Sequence, residues 1–527
     1  MALSIKPIEI INKQEYQLLK KALHWERVFL ASVANVQNGY AFKSSLFCKD
    51  RGVPLIRIRD IFNKITEHCY DGNYQDEFLV KKDDILIGMD GDFKIAIWKG
   101  EKGLLNQRVC RISLTTNLYN RKFLILCLQP YLDAINAETS SVTVKHLSSR
   151  TVEEIPLPLP PLAEQHRIVA KIEELFSDID AGIASLKKAR EQLKIYRQAV
   201  LKWAFEGKLT ARWREEKKQK GELKTADELL ARFKIEREKR YKEQMEEWES
   251  SVKAWEVSGK VGRKPKKPQK LNDFTSLPHT EIKKLPELPV EWKWVGAANI
   301  LDEINNGYTP NKEKLNPLNG EIPFIKIYNL THDGRLDFKN LTFISKQTHE
   351  KELKRSIVYP NDILFNIVGP PLGKVSLVPF DYPEYNINQA IVLFRPNQNY
   401  LPKFLMYALL TKTVINWILN TGKATAGQIN LRVSSCREQM LPLCSLEEQN
   451  QIVQEIESRL SICDRLETTI AENLQRAEAL RQSILKRAFE GKLVPQDPND
   501  EPAEKLLERI KEEKSKRSTR QLSLEGL

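Results

Sequence analysis

The chain repeats itself at a fixed distance. Leu157 to Leu209 aligns without a gap to Leu441 to Leu493, an offset of 284 residues, and about 22 of the 53 aligned positions are identical. The identities gather at the two ends of each copy. Leu157-Pro158-Leu159, Leu162, Glu164-Gln165 and Ile168-Val169 recur as Leu441-Pro442-Leu443, Leu446, Glu448-Gln449 and Ile452-Val453. Ala204-Phe205-Glu206-Gly207-Lys208-Leu209 recurs as Ala488-Phe489-Glu490-Gly491-Lys492-Leu493. A duplication this long predicts two structural units related by a pseudo-two-fold.

Each copy reads as one long helix. Pro161 suits a first-turn position and Glu164 adds negative charge near the helix N-terminus; Ser445-Leu446-Glu447-Glu448 is a capping box at the matching place. Ile172, Ile179, Leu186, Leu193 and Val200 form a seven-residue row, flanked by Leu175, Ala189, Tyr196 and Trp203. Ile456, Cys463, Ile470, Ala477 and Ile484 keep the register. Gly207 and Gly491 sit where a left-handed cap would end each helix. About 44 residues at 1.5 Å each make a rod of roughly 65 Å. One such row suits a surface helix on an ordinary core. Two rows in one register favour rods packed as an antiparallel coiled coil.

Before each rod lies a more diverged segment with strand-like runs, in which echoes persist in order. Trp25 and Val28 match Trp292 and Val295, and Asn38-Gly39-Tyr40 matches Asn306-Gly307-Tyr308. Pro54 to Ile58 matches Pro323 to Ile327, Asp84-Ile85-Leu86 matches Asp362-Ile363-Leu364, Asn106-Gln107 matches Asn388-Gln389, and Leu147 matches Leu431. Alternation at Leu55 to Arg59 and short runs at Ile85 to Ile87 and Ile95 to Trp98 predict small mixed, β-rich domains. The fold class expected is α+β: two such domains joined by the paired rods. The expected division is 1–20 N-terminal segment, 21–155 first variable domain, 156–209 first rod, 210–291 charged insert, 292–439 second variable domain, 440–493 second rod, and 494–527 charged tail. Ala226 to Lys234 resembles Ala503 to Lys511, so the duplication runs past the rods. Gly262 to Lys270 is basic, proline-broken and acid-free; it reads as a solvated linker, or as an arm touching phosphates.

Composition narrows the class. The balance of 83 Lys+Arg against 70 Asp+Glu gives +13, which favours a polyanionic partner, and duplex DNA is itself two-fold. No run approaches the roughly 18 apolar residues of a membrane span, and the N-terminus lacks a signal-peptide pattern. Seven scattered cysteines without Cys-x-x-Cys read as reduced thiols, and a cytoplasmic location is expected.

The Leu-Pro-Leu-Pro-Pro-Leu-Ala-Glu-Gln and Phe-Glu-Gly-Lys-Leu frames, with their second copies, resemble the conserved repeats of the specificity subunit of type I restriction–modification systems. Asp83 to Gly91 and Asn106-Gln107 are similar to that family's first target-recognition domain. Cys444-Ser445 in place of the second Pro-Pro, and a longer basic insert, depart from the pattern. The resemblance implies a non-catalytic DNA reader with no cofactor of its own. Each variable domain would read one half of a split site, and the rods would set the unread spacer. Two methyltransferase subunits and motor-nuclease subunits would be its partners, bringing S-adenosylmethionine, ATP and Mg²⁺.

No methyltransferase Asn/Asp-Pro-Pro-Tyr/Phe loop or Gly-rich cofactor turn is present. Gly369 to Val375 is one residue short of a phosphate loop and lacks its Ser/Thr. Seven histidines show no metal-ligand spacing. A fused methyltransferase–nuclease and a coiled-coil scaffold without sequence preference remain as alternatives. Arg on guanine and Asn/Gln on adenine are the usual base contacts. The DNA-binding candidates are Arg57, Arg59, Lys94, Gln107 and Arg108 in the first domain, and Lys326, Tyr328, Lys374, Gln389, Lys423 and Gln428 in the second. Recurrence of Asn-Gln in both domains favours a scaffold or phosphate role. The partner-binding candidates are the repeated frames: Glu164, Gln165, Phe205, Glu448, Gln449 and Phe489.

Overall fold

The computed structural model describes residues 6–13, 15–63, 65–139, 145–268, 285–316, 319–369, 372–421, 423–425 and 428–525, with backbone alone at 418–421, 423–425, 428–429, 518 and 520–525. The chain forms two compact units, Met1–Lys187 with Ile470–Leu527, and Lys188–Thr469. Each rod therefore gives one end to each unit.

In the first unit, Glu26–Phe29 pairs antiparallel with Pro156–Leu159, placing Val28 opposite Leu157. Proline lacks the N–H a central strand needs, so this Pro-Leu-Pro-Leu run serves a two-stranded ladder. A four-stranded antiparallel sheet follows in the order Ala34–Asn38, Val109–Leu114, Ile85–Gly88, Ile95–Ile97. A second sheet contains Val53–Ile56 parallel to Gly103–Leu105, with Leu79–Val80 on the far side. Asn120 caps the helix Arg121–Glu138 by accepting from the N–H groups of Lys122 and Phe123. That helix buries Phe123, Leu124, Leu128 and Leu132 in the unit's core.

The second unit repeats the two-stranded ladder and the four-stranded sheet, while its second sheet has four strands where the first unit's has five. Lys293–Gly296 pairs with Met440–Leu443. The four-stranded order is Leu301–Asn306, Ile391–Pro396, Ile363–Asn366, Val375–Leu377. Ile322–Ile325 runs parallel to Tyr385–Ile387, with Ile357–Val358 beyond. A small extra sheet joins Val368–Gly369, Gln428–Asn430 and Lys423–Thr425. In the first unit the described residues at that place form the bridge Asp90 to His146, and 140–144 lie outside them.

The rods span Leu162–Phe205 and Leu446–Phe489, 44 residues each. Both end in a Schellman cap. Lys208 N–H bonds to Trp203 O at 2.9 Å and Lys492 N–H to Arg487 O at 2.8 Å, with Gly207 and Gly491 at φ +70° and +68°. The rods lie antiparallel. In the second unit Arg197 meets Asp464 at 2.5 Å and Glu467 at 2.8 Å, while Thr210, further on, meets Glu448. In the first unit Arg481 pairs with Asp180 and packs on Phe176, and Arg167 pairs with Asp500 at 2.5 Å. These are two-fold mates: Asp180 and Arg197 align with Asp464 and Arg481 under the 284-residue offset.

After each rod a helix returns onto its unit. Ala503–Glu525 buries Leu506 and Ile510 in the first core, and Ala226–Val257 buries Ala226, Leu229 and Phe233 in the second. The latter continues as a largely exposed stalk. After its reversal at Gly259, the basic insert lies back along the stalk. Trp255 donates to Gly262 O at 3.2 Å, Trp248 donates to Pro265 O at 3.0 Å, and Lys267 stands over the Trp248 ring. Residues 262–268 are thus held against a helix; 269 and 270 lie outside the described residues.

Candidate nucleic-acid interface

One end of each four-stranded sheet carries most of the DNA-binding candidates, and two of the sequence echoes build it. Gly39 N–H bonds to Val109 O and Tyr40 N–H to Leu105 O; Gly307 and Tyr308 bond likewise to Ile391 and Ile387. A Cβ on Gly39 would lie 2.0 Å from Asn106 O, and one on Gly307 would lie 2.1 Å from Ile387 O. Asn-Gly-Tyr and Asn-Gln recur because they are pressed together, and only glycine admits that approach.

The candidates then fall into matched positions. Arg57 and Lys326 each open a 3₁₀ turn whose N–H is taken by Asp60 (3.0 Å) or Asn329 (2.9 Å). Burial pushes the Asp60 carboxyl up, partly offset by that N–H. Two residues on stand Arg59 and Tyr328, both exposed. Lys94 and Lys374 share a hairpin position, since Lys94 O accepts from Gly88 N–H and Lys374 O from Asn366 N–H. Lys94 Nζ pairs with Asp133 at 2.9 Å, and Lys374 Nζ reaches Ile327 O at 3.4 Å. Gln107 and Gln389 are both exposed, the latter accepting from the Thr309 hydroxyl. Arg108 matches Ala390: their carbonyls accept from Met89 and Ile367 N–H, each at 2.9 Å. Lys423 and Gln428 lie on the extra hairpin of the second unit, and their side chains lie outside the described residues. Pro370 and Pro371 also lie outside them.

This edge sets exposed cations and amides on a rigid sheet, the equipment needed for phosphate and base-edge contacts. Behind it, each domain is held by an arginine–aspartate pair that the sequence reading did not single out as a pair. Arg111 reaches Asp84 at 3.3 Å, and Arg395 reaches Asp362 at 2.7 Å. Burial raises the Asp362 carboxyl against the opposing pull of Arg395.

The partner-binding candidates are buried within the two units. Glu164, Gln165, Glu448 and Gln449 are at most 1% exposed, and Phe205 and Phe489 are 6% and 1% exposed. Trp25 donates to Glu164 at 3.0 Å and Trp292 to Glu448 at 2.8 Å. Gln165 accepts from Asn120 N–H and donates to Pro160 O; Gln449 accepts from Leu401 N–H and donates to Cys444 O. The Tyr119 and Tyr400 hydroxyls donate to Pro158 O and Pro442 O. Phe489 packs on Phe123, and Phe205 on Phe404. The repeated frames join strand, helix cap and rod inside each unit, and these six side chains pack there; Phe205 also lines a pocket with Ile195, Lys202 and Trp294. Asp180, Arg197 and their mates were missed; their identity within the diverged rod middles was the available signal.

Among the described residues no His, Cys, Asp and Glu group is placed to hold a metal ion, and no helix is long and apolar enough to cross a membrane. The chain is similar to known proteins over nearly its whole length. A family model described as the type I restriction modification DNA specificity domain matches residues 22–193 and again 289–476. The chain is 34% identical over 517 residues to the type I restriction enzyme EcoBI specificity subunit of Escherichia coli, covering 96% of both chains. It is 23% identical to the EcoKI specificity subunit of Escherichia coli K12, covering 93% of this chain and 96% of that one. A solved chain from work on complex assembly and conformational transition of the type I R-M system shares the fold. Its TM-score is 0.60 at 17% identity, covering 90% of this chain and all of that one. With two copies of the domain and a relative matched nearly end to end, the chain belongs to the family of type I restriction–modification DNA specificity subunits.

Proposed function

We propose that each variable domain reads one half of a bipartite duplex site through its sheet-end edge, and that the paired rods set the unread spacer between the halves. The observation that carries this reading is the duplicated edge: one scaffold with matched cations and amides, yet different residues at Arg59/Tyr328 and Arg108/Ala390. Two half-sites of different sequence call for such a pair. Catalysis belongs to the partners. Two methyltransferase subunits bring S-adenosylmethionine for adenine methylation, and motor-nuclease subunits bring ATP and Mg²⁺ chemistry. The complex works on cytoplasmic DNA, without a membrane.

Since the repeated frames are buried, docking falls to what the rods expose. Ile195 (70% exposed), Trp203, Ile462 and Leu466 stand out on the rods of the second unit, and Leu480 in the first. Apolar side chains on a rod surface suit partner helices. The test is single-molecule methylation mapping in cells carrying the methyltransferase with and without this gene. A split adenine-methylated motif that disappears with the gene is expected. A motif that persists without it, or a continuous unsplit one, overturns the reading.

A further inference from the structure

The edge of the first domain carries a side-chain cluster that the matching positions of the second lack. His146 Nδ1 lies 2.6 Å from Asp90 Oδ1, and Arg108 Nε lies 3.4 Å from Asp90 Oδ2. Backbone bonds fix the counterparts. Met89 and Ile367 bond to the carbonyls of Arg108 and Ala390, while Leu147 and Leu431 bond back to Met89 and Ile367. The next position along each strand is Asp90 or Val368, bridged to His146 or paired with Asn430. Arg108-Asp90-His146 is therefore replaced in the second domain by Ala390-Val368-Asn430.

The chemistry of the cluster is directional. At 2.6 Å the carboxylate takes the Nδ1–H of His146, so Arg108 Nη1, 3.3 Å from that same nitrogen, has no acceptor there. Asp90, mostly shielded at 21% side-chain exposure, holds the inner Nε of Arg108, whose side chain is half exposed. Nη1 stands beside His146, Nη2 has no partner among the described residues, and the half-exposed guanidinium keeps these donors for a ligand. A guanidinium with two parallel free donors matches the N7 and O6 acceptors of guanine in the major groove, and a carboxylate behind it removes the rotamer freedom that would blur the reading.

We propose that Arg108, positioned by Asp90 and His146, reads a guanine in the half-site of the first domain, and that the second domain has no such reader at the matching position. The inference rests on the bipartite reading above. Phosphate anchoring would be common to both halves, and suits the shared Lys94/Lys374 and Gln107/Gln389. A residue present on one copy alone suits base reading.

The test uses the complete methyltransferase complex with the wild-type chain, Arg108→Ala, Arg108→Lys and Asp90→Asn, each mapped by single-molecule methylation sequencing. Ala390 shows that this backbone position accepts alanine, so Arg108→Ala is expected to fold; unchanged methylation at the second half-site confirms it. Both Arg108 variants should relax one G·C position of the first half-site by roughly tenfold to a hundredfold, leaving every other position as it was. Asp90→Asn should relax the same position less. A wild-type motif without a G·C pair in the first half overturns the proposal. So does Arg108→Lys retaining full selectivity, or Arg108→Ala lowering methylation evenly with the motif unchanged. Absence of any split motif in the wild type is the separate failure of the bipartite reading itself.

Discussion

Trp292 donates its indole N–H to the buried Glu448 carboxylate at 2.8 Å, and Trp25 makes the corresponding bond to Glu164. The bond ties the entry strand of each recognition domain to the first turn of the following rod. The surroundings of the two carboxylates are not alike. Glu448 also takes the Thr210 hydroxyl at 2.8 Å and the Arg214 guanidinium at 2.5 Å. Among the described residues Glu164 meets the half-exposed His24 at 3.4 Å besides the indole, and its Oε1 has no hydrogen-bond partner there. One joint is an ion pair with full satisfaction; the other is looser.

Removing these carboxylates should therefore cost different amounts. Glu448→Ala takes the 2.5 Å carboxylate from the Arg214 guanidinium, at 13% side-chain exposure, and leaves it Gly207 O and the more distant Glu291 at 3.9 Å; the expected cost is about 3 kcal/mol. Glu164→Ala loses a single indole bond and should cost about 1–3 kcal/mol. Scanning calorimetry of the two variants checks the order. Equal losses, or a larger one at Glu164, would show that Arg214 contributes nothing to its joint.

Phe205 and Phe489 fill the cores of the two units, so their truncation should appear first as instability. Each Phe→Ala change is expected to cost about 3–5 kcal/mol, the range for a large buried ring. Circular-dichroism melting should show the loss in the isolated chain, before any partner is added. Normal melting with selective loss of methyltransferase binding would restore a docking role to these rings.

The architecture was legible because duplication writes the same scaffold twice. Trp25/Trp292, the glycines of Asn-Gly-Tyr and the Ile-Leu of Asp-Ile-Leu prove to be positions where backbone or core admits few residues. The role of Glu164-Gln165 and Glu448-Gln449 was not legible. An identical pair in two copies looks the same whether a partner or a buried joint demands it, and burial of two residues at a helix start leaves no periodic trace. The Arg108-Asp90-His146 cluster was hidden for another reason. Its members come from three segments brought together by a strand pairing and one bridge, neither of which hydropathy encodes.

Thiol reactivity should follow burial. Cys110, Cys127, Cys436, Cys444 and Cys463 are at most 2% exposed. Burial pushes Cys110 and Cys436 up to about 12, and raises Cys127 and Cys444 well above the ordinary thiol range. Cys48 and Cys69 are half-buried and directly opposite each other on antiparallel strands. At pH 8 the folded chain should show two thiols that react ahead of the rest, with Cys69 slowed because burial raises its thiol, and all seven after denaturation. Rapid labelling of Cys444, located by peptide mapping, would contradict the packing beside the second rod.

Rod length should control spacer length. Arg197 with Asp464 and Arg481 with Asp180 lock the antiparallel register at two symmetric places. A symmetric change must therefore be inserted between Asp180 and Arg197 in the first rod, and between Asp464 and Arg481 in the second. Seven residues per rod preserve the heptad phase and add about 10 Å. At 3.4 Å per base pair this corresponds to about three base pairs of unread spacer. The half-site letters should stay fixed, because neither sheet-end edge is altered. An insertion of seven residues in one rod alone misaligns the ion pairs and should weaken assembly instead of shifting the spacer. Methylation mapping reads both outcomes. Altered half-site letters with an unchanged spacer, in the symmetric variant, would mean that the rods do not act as the ruler.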